Sequence, residues 1–173
     1  MTAFQTDDWY NVVPEHVIEA LQDDTKLGTG GTLAIKTWEP EFRDGADEYN
    51  ENELPALAVT CDLAGTTAVA LEQLTRAFVV TVWVVTDSGR KKNTEQSVKA
   101  YAARVERAMQ QQHDASKQLK DVTTDLLESI ATSVQVEPVG TAISDDAVQK
   151  SNARRGVAVL TFAVSIDFTI TID

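Results

Sequence analysis

Arg155-Gly156-Val157-Ala158-Val159-Leu160-Thr161-Phe162-Ala163-Val164-Ser165-Ile166-Asp167-Phe168-Thr169-Ile170-Thr171-Ile172-Asp173 closes the chain. Every even position from Ala158 to Ile172 is apolar, while Thr161, Ser165, Asp167, Thr169 and Thr171 fall on odd ones. A period of two is the mark of a strand with one buried face. At about 3.3 Å per residue the run could extend roughly 50 Å, whereas common strands have only about 5–6 residues. It therefore either bends or reaches past its own domain, and a projecting strand end is suited to pairing with a neighbouring copy. The plainer alternative is a long core strand of a monomer.

Working back from that strand, the chain alternates short helical and extended patterns. Ser133 to Val139 is a shorter alternation, in which Pro138 predicts a strand stop; the polar residues 140–153 then read as an exposed connection. Asp121 to Ile130 could finish a helical region. Before it, Val98, Tyr101, Ala102, Val105 and Met109 recur at helical spacing, which predicts the main packing helix over 94–112 with Asn93 as its cap. Ala77 to Val85 is apolar on both sides, as in a central strand covered twice or carrying an interface. Pro55 to Asp62 alternates as a strand, and Gly65-Thr66-Thr67 reads as a turn.

At the other end, Val13, Val17, Ile18 and Leu21 form one stripe, with Pro14 placed as a first-turn residue of a helix over 14–24. His16 is expected on its exposed side. Gly28, Gly30 and Gly31 follow this helix and precede a strand-like Thr32 to Trp38. A phosphate loop has the reverse order, so these glycines are expected to stop the helix and turn the chain.

The most biased segment lies between two strands. Glu39, Glu41, Asp44, Asp47, Glu48, Glu51 and Glu53 crowd into it beside the single cation Arg43. With Pro40, Gly45, Asn50 and Asn52 among them, these residues predict a long flexible acidic loop over 39–53. Their spacing does not match a calcium loop, so no ion is expected there.

The totals narrow the function. The 173 residues suffice for one domain with a real core. A net charge of −12 disfavours a grip on nucleic acid through phosphate neutralisation. Cys61 stands alone in an apolar alternation and has no internal partner, which suits a reducing compartment. No signal sequence or bilayer-length apolar run is evident, so a soluble protein made in the cytoplasm is expected. His16 and His113 sit in polar surroundings far from any plausible nucleophile, and carboxylates in an exposed loop are hard to tune by burial. Neither an enzyme, a metal nor a cofactor is expected.

Taken together, the acidic loop between two strands, the apolar strand Ala77 to Val85, the helix Thr94 to Gln112, the strand Ser133 to Pro138 and the last strand from Arg155 to Ile172 resemble the tail terminator (tail completion) proteins of long-tailed bacteriophages. The resemblance covers most of the chain and lies in the order of elements. It implies a single α+β domain over 1–173, with a mixed, mostly antiparallel twisted sheet, two helices packed on it and a long C-terminal strand. It further implies a structural virion protein, assembled in the host cytoplasm, that forms a hexameric ring on the head-proximal end of the tail tube. The expected partners are copies of itself, the tail tube protein, a neck or stopper protein and DNA passing without sequence preference. Six copies would carry roughly −70, which repels phosphates passing through a bore. On this resemblance the acidic loop is expected to line the bore or dock a neighbouring ring, and Ile166, Phe168, Ile170 and Ile172 are expected at the subunit boundary. Three other readings stay open: another head-tail connector ring, a small-molecule-binding domain with a pocket near Trp38 and Trp83, and, least favoured, an enzyme using the acidic loop with a divalent ion.

Overall fold

The structure, a computed structural model, describes residues 6–70, 73–87, 91–112, 130–147 and 154–169. The chain runs α1 (Thr6–Gln22), β1 (Thr37–Glu39), two short 3-10 turns, β2 (Ala56–Ala70), β3 (Gln73–Asp87), α2 (Lys91–Gln110), β4 (Ile130–Ala147) and β5 (Arg154–Thr169). One five-stranded sheet has the order β1-β2-β3-β5-β4, parallel at β1-β2 and antiparallel elsewhere. This is the mixed, mostly antiparallel α+β architecture that the sequence predicts.

The period-two pattern of β5 does as expected. Ala158, Leu160, Phe162, Val164 and Ile166 are all buried on one face, aligned with Val84, Val82, Val80, Phe78 and Arg76 of β3. Both helices cover that face, α1 over β2 and α2 over β3, β5 and β4. Val13, Val17 and Leu21 of α1 and Val98, Val105 and Met109 of α2 meet it in one core. Each fully buried aliphatic or aromatic side chain there stabilises the fold by about 1.5–3 kcal/mol.

Several boundaries differ from the sequence reading, each for a physical reason. Along its described length β5 lies inside the sheet, paired with β3 and β4; the end of the run that was expected to project, 170–173, lies outside the described residues. The turn expected at Gly65-Thr66-Thr67 is instead strand: β2 runs on to Ala70, absorbing the irregularity with a register shift between Leu63 and Gly65. Likewise β4 passes through Pro138 with a shift between Pro138 and Gly140, and continues to Ala147 where a connection was expected. An edge strand tolerates proline at such a bulge because the missing N–H costs no ladder bond on the outer side. The long partners β3 and β5 supply the pairing that turn propensity alone opposes.

Helix α1 begins at Thr6, leaving Pro14 in its interior rather than its first turn. A proline there removes one helical hydrogen bond, and burial of the flanking Val13 and Val17 outweighs that loss. His16 is largely covered rather than exposed, with a 3.6 Å approach to Glu19. The expected strand from Thr32 narrows to Thr37–Glu39, because the preceding residues fold back on the turn after α1, with Leu33 N–H donating to the Lys26 carbonyl and Ile35 N–H to the Leu27 carbonyl. The helical expectation for 121–129 lies outside the described residues.

The glycine turn after α1 is as predicted. Gly30 adopts φ +83, which favours glycine, and a Cβ on Gly28 would fall 2.1 Å from the Gln22 carbonyl oxygen. Asp24 organises it: its carboxylate accepts from Lys26 N–H at 2.9 Å and Leu27 N–H at 3.1 Å. The same carboxylate takes Arg104 Nε of α2 at 2.8 Å, joining the two helices through a covered ion pair.

Candidate functional site

The acidic segment is a built structure, not the flexible loop that its composition predicts. Its centre is Arg43. Arg43 Nε and Nη2 donate to Glu39, the latter at 2.6 Å; Nη1 and Nη2 donate to Glu53 at 3.1 and 2.9 Å; and Nη1 also reaches the Glu48 carbonyl at 3.0 Å. Two carboxylates flank one planar fork, a geometry suited to guanidinium. The same group lies 4.4 Å from the centre of the Tyr49 ring, a cation–π approach. Asn50 N–H donates to Glu53 at 2.7 Å and starts the second 3-10 turn, Glu51–Glu53.

Apolar contacts fix this assembly to the sheet. Phe42 stacks on Trp83 of β3, with centroids 4.3 Å apart and planes within 15°. Tyr49, Leu54, Ala56 and Val85 form a small buried cluster separate from the main core, against which Phe42 packs. From the first residue of the last strand's core, Arg155 reaches under the loop: it is buried, 2.9 Å from Asp87, and its Nη2 donates to the Tyr49 carbonyl at 3.3 Å.

The clamp shapes the electrostatics. The Arg43 guanidinium, then the Asn50 N–H, holds Glu53 down at about 2, against an ordinary 4.5. Arg43 itself is raised by Glu53 and Glu39 and stays charged. Burial, and then the neighbouring Glu39 carboxylate, pushes the Tyr49 hydroxyl up to about 12; the two groups are close without hydrogen-bond geometry.

The seven predicted acids thus divide. Glu39 and Glu53 turn inward to Arg43 and serve the loop's own architecture, whereas Glu41, Asp44, Asp47, Glu48 and Glu51 are exposed. The loop holds five carboxylates outward on a rigid support. Sequence reasoning missed Arg43, Phe42 and Tyr49 as its organisers; the available signal was one arginine and two aromatics inside an otherwise acidic, apolar-poor run.

The loop covers only the Trp83 end of the sheet face that the helices leave bare. Farther along, Val79, Thr81, Thr161, Ala163 and Ser165 are partly exposed on that face. Ala77 to Val85 therefore has one face in the core and the other half-covered. At the far end, Thr75 and Ser133 hydroxyls each donate to Asp167 at 2.5 Å, stapling β3, β5 and β4 together.

Of the expected boundary residues, Ile166 is buried in the core of its own chain. Phe168 pairs in register with Leu74 and Ala131, and Ile170 and Ile172 lie outside the described residues. The region near Trp83 is occupied by Phe42 rather than by a pocket. A shallow polar cleft lies instead among Glu51, Pro55, Thr86, Asp87 and Tyr101. Burial, with Asp62 adding, pushes the Cys61 thiol up to about 12, so it is un-ionised at neutral pH. Among the described residues, no three His, Cys, Asp or Glu side chains are grouped to hold a metal ion, and no helix is long and apolar enough to cross a membrane.

No family model and no curated protein matches the chain. Among solved structures, the chain is similar to one from the virion of a native gene transfer agent (GTA) particle, at 16% identity over 96% of this chain and 99% of that chain, with a TM-score of 0.47.

Proposed function

We propose that this chain is a non-enzymatic structural protein of a phage-like virion, a tail terminator that closes as a hexameric ring on the head-proximal end of the tail tube. The observation that carries this reading is a single sheet whose outer strands, among the described residues, are open for much of their length, with a braced acidic ridge standing on the face the helices leave bare. Such a sheet is built to continue into neighbours, and the ridge supplies outward carboxylates whose positions are fixed before any partner arrives. The order of elements, a helix, an acidic segment between two strands, a hairpin, a long helix and two closing strands, is similar to that expected from the resemblance, which supports the reading.

In this reading the ring passes DNA without binding it, since carboxylates facing a bore repel phosphates. Glu41, Asp44, Asp47, Glu48 and Glu51 line the bore or dock the tube or neck protein. Glu39 and Glu53 hold the ridge in shape. Phe168, Ile170 and Ile172 stand as candidates for the subunit boundary.

Native mass spectrometry across a concentration series, alone and with the cognate tube, tests the ring. A sixfold species in either condition is expected. A chain that stays monomeric in both overturns the proposal.

A further inference from the structure

Where two copies of so acidic a chain could touch is restricted by charge. Charged residues make up 24% of the sequence, about one in four, yet none occurs between Asp62 and Glu72, or between Glu137 and Asp145. The structure puts these two uncharged runs on opposite outer strands of the same sheet. The first is the outer half of β2. Strand β1 pairs only with Ala56–Ala58, so among the described residues no strand covers β2 beyond them, and Ala64 to Ala68 are exposed. The second lies on β4, where Glu137 to Ser144 are exposed, including Val139 at 65% and Ile143 at 38%, the large exposed hydrophobics of the described residues.

Soluble proteins block open edges with lysine, inward charges or proline. Here Pro138 stands at one end of the β4 run, and the six residues from Val139 to Ser144 carry no such block. The β2 run from Leu63 to Ala70 has no charge and no proline. On these two outer-strand runs the backbones of neighbouring copies can come within hydrogen-bond distance without bringing carboxylates together.

We infer that copies of this chain join edge to edge, the Leu63–Ala70 edge of one copy adding to the Val139–Ser144 edge of the next. The inference rests on the ring reading above and names the surfaces that build it. Strands β2 and β4 run in opposite directions, since three antiparallel steps separate them. A neighbour in the same orientation therefore extends the sheet antiparallel, like its interior pairs. The contact joins two different edges, so each added copy leaves one edge of each kind free, and only closure into a ring satisfies both.

Two single variants test it. Thr67→Lys blocks the β2 edge and Ala142→Lys the β4 edge; both positions are exposed. Each variant alone is expected to be monomeric where the wild type is fully assembled. Mixed in equal amounts, they are expected to form a one-to-one dimer and nothing larger, because the mixture retains one intact edge of each kind. That dimer also certifies that both variants fold. If either variant alone assembles like the wild type, or if the mixture stays monomeric while both keep wild-type circular dichroism and unfolding midpoints, the inference is wrong and the ring reading stands. If the wild type itself never assembles, with or without tube, both fall.

Discussion

Arg43→Ala opens the acidic loop while leaving the main core folded. The substitution removes the one cation between Glu39 and Glu53, the bond to the Glu48 carbonyl and the cover over Tyr49. Two carboxylates then face each other with nothing between them, and residues 40–54 lose their reason to hold Phe42 against Trp83. Limited proteolysis should cut the variant in this segment at least tenfold faster than the wild type, a shift corresponding to about 1.4 kcal/mol in the opening equilibrium. Tryptophan emission should move to the red as Phe42 leaves the Trp83 ring.

Acid should do the same to the wild type. Glu53 has a folded value of about 2 against an ordinary 4.5. Its contribution is therefore complete above about 4.5 and is lost as pH falls toward about 2. The clamp also separates shape from charge: neutralising Glu41, Asp44, Asp47 and Glu48 together removes outward carboxylates and touches none of the clamp's side-chain contacts. That variant should keep protease resistance and lose docking on the tube or DNA passage. An Arg43→Ala loop as resistant as the wild type would show that the apolar contacts alone hold it.

Asp24→Ala is expected to cost about 2–4 kcal/mol, because it orphans Arg104 and two backbone N–H groups in one step. Burial opposes ionisation of Asp24, but the bonds from Arg104, Lys26 and Leu27 prevail and hold its carboxyl below the usual 3.8. The pair joins the end of α1 to the middle of α2, so its loss loosens the helical layer as a unit. Denaturant unfolding with Asp24→Asn alongside checks this. The amide keeps an acceptor for the turn and should cost less; a loss under about 0.5 kcal/mol for the alanine variant would place the pair among ordinary surface contacts.

What was legible in the sequence was periodicity, and what was not was pairing. Alternation in Ala158 to Ile166 and the 3.6 spacing of Val98, Tyr101, Val105 and Met109 are properties of one segment, and both elements appear where expected. The length of β2 and β4 is a property of their partners: Gly65 and Pro138 read as breakers until β3 and β5 are seen running beside them. The loop shows the same limit. Its composition announces disorder, because the compensating contacts join Arg43 to residues four before and ten after it, and Phe42 to a tryptophan on another strand. The open edges were legible only as an absence of charge, which acquires meaning once both runs are found on outer strands.

The place of β5 has a consequence for synthesis. It follows the other four strands in the chain, yet it occupies the interior of the sheet, with Thr169 paired to Gln73 on one side and to Ile130 on the other. The β2-β3 hairpin is local and forms early, but β3 then waits with its inner edge bare, and β4 has nothing to pair with until β5 emerges. The sheet therefore cannot close until β5 has been made and inserts between β3 and β4. Nascent chains halted before and after β5 clears the exit tunnel should differ sharply in protease resistance, and equal resistance would refute this order of events.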